Sequence, residues 1–361
     1  MSDATIEIFT ATVPPLVDAM DALLFLARHL HPPEAAAVFE SLDSPDAPLR
    51  AARPRIDELP DALEGVRSRL SVAADVTLTC YDKFRAAMET GELVPMLRAM
   101  RDVAIAQEAL YPLAGAFPFV STFFLPEASR DDTGLMDKVA ARPVPGATGL
   151  FQMGADAARR GGFALYVPEY YTPDRDWPLI VALHGGSGDG RRFLWSWLRD
   201  ARAYGAILVT PTATDKTWAL MGDDPDTPNV VRILERIQAK WRIDPARRLL
   251  TGLSDGGTFT YASGLRGDSP FTHLAPVAAS FHPMLAQCAD AHRIAGLPIF
   301  LTHGSLDWMF PVELARSAHG ALTTAGAQVT YREIDDLSHT YPREINAQIL
   351  AWMDETRPAL G

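Results

Sequence analysis

The chain has 361 residues, with 45 acidic against 33 basic side chains and a formal net charge of −12. That length buries at least one large core and leaves room for a second domain, and the composition is that of an ordinary soluble globular protein. The acidic surplus repels phosphate backbones and anionic lipid surfaces, so nucleic acid is excluded as an expected partner.

The N-terminal stretch "MSDATIEIFTATVPPLVDAMDALLFLARHL" has acids early and no basic n-region, and Asp18, Asp21 and Arg28 break its apolar run. It reads as neither a secretion signal nor a membrane span, so no stable membrane insertion and a cytoplasmic location are expected. Apolar residues then recur at three- and four-residue intervals in "PPLVDAMDALLFLARHL", "PDALEGVRSRLSVAADVTLTCYDKFRAAMETG" and "LVPMLRAMRDVAIAQEALYPLAG". This periodicity predicts an all-helical domain over 1–140, which holds 22 of the acidic and 12 of the basic residues. Two roles stand open for it: a cap over a site elsewhere, or a scaffold through which the chain self-associates as a homo-oligomer. Cys80 and Cys288 lie far apart and fit no metal-ligand spacing, so two reduced thiols are expected.

After "ARPVPGATG", in a linker expected over 141–160, the texture changes. Over 161–361, short β-branched runs alternate with helical stretches: "GFALYVPE", "PLIVALHG", "AILVTPTA", "RRLLTGLS", "HLAPVAASF", "LPIFLTHG" and "VTYREI". Near-continuous apolar strands of this kind belong to a parallel sheet covered on both faces, so the fold class is α/β with a doubly wound, mostly parallel sheet. Helices are expected near 190–203, 228–240, 255–266, 313–325 and 342–354.

Ligands gather at the carboxyl ends of the strands in such a sheet. "RRLLTGLSDGG" places Ser254 between Gly252 and Gly256, the spacing a strained strand-to-helix turn requires. "PLIVALHGGSGDG" leaves its strand at Gly185-Gly186, a loop whose backbone N–H can approach a substrate; it lacks the spacing and lysine of a phosphate loop. "LPIFLTHGSLDWMFP" puts Asp307 past a strand, and "VTYREIDDLSHTYP" puts His339 after the last one. The order Ser, Asp, His is that of a nucleophile–acid–base set. Asp335 and Asp336 read as solvated turn residues, His184 as a brace of its glycine loop, and His303 as a backbone-bonded residue. His282 is a weaker candidate for the cleft. The acidic run 222–228 reads as a solvated loop, since no calcium-loop spacing follows. No metal site is expected.

Residues from about 160 onward resemble the serine-hydrolase branch of the α/β-hydrolase superfamily, especially the phospholipase/carboxylesterase group and the polyhydroxybutyrate-depolymerase or feruloyl-esterase-like proteins. The resemblance rests on the stretches just quoted. It implies Ser254 as nucleophile, Asp307 as acid, His339 as base, and the N–H groups of Gly186 and Asp255 as oxyanion donors. It further implies cleavage of a small-molecule carboxylic ester through an acyl-enzyme, with no cofactor. Two positions depart from the family pattern: Asp255 is charged where a neutral residue is usual, and no glycine precedes His339. Trp218, Trp308 and Met309, together with Met221 and Phe310, are candidates for apolar walls of a substrate pocket. A serine peptidase of the prolyl-oligopeptidase type and a non-catalytic hydrolase-fold scaffold are the alternatives.

Overall fold

The computed structural model describes residues 2–153, 159–287 and 289–358. It divides into two compact units, Met1–Arg142 and Pro143–Gly361.

The first unit is helical: α1 (Asp3–Arg28), α2 (Ala35–Ser41), α3 (Ala47–Ile56), α4 (Glu64–Thr90), α5 (Leu93–Leu110), α6 (Pro118–Phe123) and α7 (Thr133–Val139). Helix α1 starts eleven residues before the "PPLVDAM" stretch at which the sequence places it. The Ser2 hydroxyl caps it by accepting the Thr5 N–H at 3.3 Å, and Ile8, Phe9 and Val13 extend the buried stripe upstream of Pro14 and Pro15. By length and composition α1 could cross a membrane, with a mean hydropathy of 1.4 over its most apolar window, and half of that window is buried inside the unit. Tyr81 on α4 donates to the Ala19 carbonyl of α1 at 2.8 Å. Helix α4 ends at Gly91 (φ +69°), where the Glu92 N–H reaches back to Ala87 O and turns the chain into α5. Cys80 is buried and unbridged, and burial pushes its thiol up to about 12. Cys288 lies outside the described residues.

The second unit runs β1 (Gly149–Met153), β2 (Phe163–Val167), β3 (Trp177–Leu183), α8 (Gly190–Phe193), α9 (Leu198–Tyr204), β4 (Ile207–Pro211), α10 (Asp226–Gln238) and β5 (Ile243–Leu253). It continues with α11 (Asp255–Gly264), β6 (His273–Val277), α12 (Met284–Gln287), α13 (Ala291–Ile294), β7 (Pro298–Gly304), α14 (Val312–Thr324), β8 (Gln328–Ile334) and α15 (Ile345–Glu355). The strands form one sheet in the order β1-β2-β4-β3-β5-β6-β7-β8. β1 and β2 are antiparallel, β2 is antiparallel to β4, and β4 through β8 are parallel. Gly149–Met153, read from the sequence as linker, is thus an edge strand; its glycine- and proline-rich flank hides a pairing in which Leu150 faces Tyr166.

Every residue of β3, β4, β6 and β7 is buried, as it must be when helices cover both faces. Helix α10 shows the local logic: Val230, Ile233, Leu234 and Ile237 form its buried stripe. The parallel strands bring the loops after β3, β4, β5, β6, β7 and β8 to one edge of the sheet.

Candidate active site

Ser254 sits between the last residue of β5 and the first of α11, with φ +57° and ψ −119°. A non-glycine residue at positive φ is strained by about 1–3 kcal/mol and persists only where its surroundings hold it. Here its N–H donates to Val277 O at 2.9 Å and its C=O accepts the Thr258 N–H at 2.8 Å. The flanking glycines are a steric necessity. A Cβ on Gly252 would lie 2.4 Å from the Gly256 backbone, and a Cβ on Gly256 would lie 2.5 Å from His184 O.

The Ser254 hydroxyl is 2.9 Å from His339 Nε2. On the other side of the ring, His339 Nδ1 is 2.8 Å from Asp307 Oδ2. The Asp307 side chain is wholly buried. Its Oδ1 accepts the N–H groups of Met309 and Phe310 at 2.9 and 2.8 Å, and His303 Nε2 stands 3.4 Å from Oδ2 while contacting Phe310 O at 2.8 Å. The loops that carry Asp307 and His339 are tied by backbone bonds from Ser305 to Ile334 O and from Leu306 to Leu337 O. This explains how two residues far apart in sequence meet. Asp335 and Asp336 are exposed.

The loop after β3 lies against the serine turn: a Cβ on Gly185 would stand 3.5 Å from Ser254 Cβ, and one on Gly186 would stand 2.7 Å from Asp255 Oδ2. Among the described residues neither the Gly186 N–H nor the Asp255 N–H has an acceptor. Both belong to segments in contact with Ser254, and Asp255 N–H also opens a helix. The Asp255 carboxylate accepts from the Thr217 hydroxyl at 2.5 Å.

His184 braces its own loop. It accepts the Ala213 N–H at Nε2 (3.1 Å), which leaves Nδ1 to donate to Gly185 O (2.7 Å). Burial holds its pKa down to about 4, so it stays neutral there.

Three expectations change. Trp218 is 2% exposed and lies behind the loop, stacked on Phe259, with its indole N–H donating to His184 O at 2.8 Å. It is a support for the loop rather than a pocket wall, because the β4 loop folds it inward to satisfy that carbonyl. The acidic run 222–228 is only partly solvated: Asp226 is 1% exposed and its two oxygens accept the N–H groups of Thr214 and Ala219, which fixes the same loop. His282 is exposed and accepts the Met284 N–H, a turn contact.

Trp308 and Met309 remain at the surface, 44% and 45% exposed. Trp308 and Phe310 both meet the His339 ring edge to face, at 6.2 and 5.2 Å between centroids. Sequence reasoning did not find Tyr341, Asn346 and Asp200, which anchor the far side of the histidine loop. Tyr341 donates to Asn346 Oδ1 at 2.8 Å, and Asn346 donates to Asp200 Oδ2 at 2.9 Å. The part-buried Tyr341 is signalled in the sequence only as the aromatic in "SHTYP".

Residues 226–355 match the Phospholipase/Carboxylesterase family. Two curated esterases align with the chain. The bifunctional acetylxylan esterase/xylanase XynS20E of Neocallimastix patriciarum is 28% identical over 147 residues, 40% of this chain and 21% of that protein. Feruloyl esterase C of Emericella nidulans is 32% identical over 108 residues, 28% of this chain and 39% of that protein. The similarity to that family thus falls within the doubly wound α/β sheet of the Pro143–Gly361 unit. The chain spans well under half the length of either curated relative. Among solved structures, a thermostable esterase is similar at 25% identity and a TM-score of 0.46, covering 54% of this chain and 58% of that one. A ferulic acid esterase is similar at 18% identity and a TM-score of 0.46, covering 54% and 92%.

Proposed function

We propose that the protein is a serine hydrolase that cleaves carboxylic esters of small molecules through an acyl-enzyme. The observation that carries this reading is the unbroken hydrogen-bonded series Asp307–His339–Ser254, ending on a serine held at positive φ. In this reading His339 Nε2 takes the proton of Ser254 as Oγ attacks the ester carbonyl. Asp307 holds Nδ1–H and offsets the imidazolium charge, its own orientation held by two backbone N–H groups. The oxyanion of the tetrahedral intermediate is received by the N–H groups of Gly186 and Asp255, a contact worth about 3–4 kcal/mol per donor. His339 then protonates the leaving alcohol, and water, activated by the same histidine, releases the acid. The acyl-enzyme needs no metal or organic cofactor.

The test is hydrolysis of p-nitrophenyl esters by wild type and Ser254→Ala, with fluorophosphonate labelling of both. Wild type should turn over and label at Ser254, and the variant should do neither. A clean Ser254→Ala preparation with full activity would remove Ser254 from the mechanism. A folded wild type that neither turns over nor labels would favour a scaffold.

A further inference from the structure

Outside the Ser254 cleft, the strongest feature of the second unit is a cavity of about 650 Å³ between the segment leading into β2 and helix α10. Its walls include Arg159, Arg160, Arg232 and Arg236, with Thr214 and Asn229, and among the described residues no acidic side chain lines it. Its size is that of a small-molecule site.

Many of the chain's guanidinium groups meet carboxylates, as Arg202 does with Glu169, Arg247 with Asp244 and Asp354, and Arg316 with Glu333. Among the described residues none of the four cavity arginines has an ion pair, in a protein of net charge −12. Their contacts are with neutral groups. Arg232 donates to Asn229 Oδ1 at 2.5 Å, Arg160 donates to Gly188 O at 3.2 Å, and Arg236 lies over the Phe163 ring. Asn229 is in turn held by donating to Gly161 O at 3.3 Å. Four like charges gathered without a counter-charge repel one another, and a bound anion removes that repulsion. Guanidinium groups pair bidentately with phosphate and carboxylate oxygens. Four of them exceed what the two oxygens of one carboxylate can engage, and favour the larger charge and additional oxygens of a phosphate.

We propose that this cavity binds a phosphate group, either inorganic phosphate or the phosphate of a small phosphorylated molecule. The site lies on the same sheet edge as Ser254, because Thr214 follows β4 as Ser254 follows β5. Through Arg160 and Gly188 it touches the loop that carries Gly186. It requires no hydrolysis and stands independently of the esterase reading.

The experiment is calorimetric titration of the full-length protein with inorganic phosphate and with glucose 6-phosphate, at an ionic strength held constant with sodium chloride. Wild type and Ser254→Ala should both bind saturably, and Arg232→Gln/Arg236→Gln should lose at least tenfold in affinity. Arg232→Lys/Arg236→Lys keeps the charge and loses the planar fork, and should fall between them. Tighter binding of glucose 6-phosphate identifies a phosphorylated molecule as the occupant, and equal affinity identifies phosphate itself. Saturable binding of neither probe to wild type, or equal binding by the Gln variant, would overturn the proposal. Because the readout is binding, failure here leaves the Ser254 chemistry standing, and loss of Ser254 activity leaves this site standing.

Discussion

The carboxylate of Asp255 accepts the hydroxyl proton of Thr217 at 2.5 Å and lies where a side chain on Gly186 would begin. The charged residue after the serine therefore has a structural partner. It joins the serine turn to the loop after β4, beside the second loop that supplies a candidate oxyanion donor. In the proposed reaction this carboxylate stands beside the ester carbonyl, where a negative charge opposes anionic acyl groups.

Asp255→Asn should keep an acceptor for Thr217 while removing that charge. Turnover of a neutral p-nitrophenyl ester is expected to change little. An ester with an acidic acyl group, such as p-nitrophenyl hemisuccinate, should gain in kcat/KM by about 1 kcal/mol, or roughly fivefold. A parallel change for both substrates would mean the charge does not act on the acyl group.

Strain at Ser254 makes a second prediction, on stability alone. Alanine removes the hydroxyl and keeps the positive φ, whereas glycine relieves it. Ser254→Gly should exceed Ser254→Ala in unfolding free energy by about 1 kcal/mol, measured by urea denaturation. Glycine that is no stabler than alanine would show that the turn carries no such strain.

A third prediction concerns pH. Burial lowers His184 and His273 to about 4 from an ordinary 6.5. In the unfolded chain both take up protons near pH 6.5, so the stability linked to them is full above that pH and is lost as pH falls toward 4. Asp200 acts with the opposite sign: burial raises it to about 6, so the folded state binds its proton first and offsets part of the loss. Two groups outweigh one, and unfolding free energy should fall from pH 6.5 to 4. His184→Gln, which retains a donor and an acceptor, should flatten the slope by up to one proton, about 1.4 kcal/mol per pH unit. An unchanged slope would contradict a neutral, buried His184.

The two tryptophans beside the site should separate cleanly. Trp218→Phe strips a buried carbonyl of its donor and should cost about 1–3 kcal/mol of stability. Trp308→Ala, on an exposed loop against the His339 ring, should change stability by less than about 0.5 kcal/mol and raise KM for aryl or long-chain esters. The reverse pattern, with KM moved by Trp218 and stability by Trp308, would undo their assignment.

These cases mark where local reading stops. The strand runs, the helical spacing of α10 and the glycines around Ser254 were legible because they reflect local demands: unbroken apolar runs, helical period and the absence of a Cβ in a tight turn. Trp218 and Trp308 look alike in sequence, each apolar and each past a strand end. Which one turns inward depends on the carbonyl of His184, a residue 34 positions away from Trp218. Asp226 looked like part of a solvated acidic run, and its burial follows from two N–H groups in a loop upstream.

The residue types and their order along the chain were set by sequence alone: an α/β unit after a helical one, and a serine, an aspartate and a histidine past the ends of three strands. Tertiary structure decided what distance, burial and charge make of them. It brought His339 between Ser254 and Asp307, aimed the Asp255 carboxylate at Thr217, and gathered four arginines around one cavity. The physical reason is that hydrogen bonds and charge interactions act over a few ångströms of space, and chain order carries no such distances until the sheet has aligned its loops.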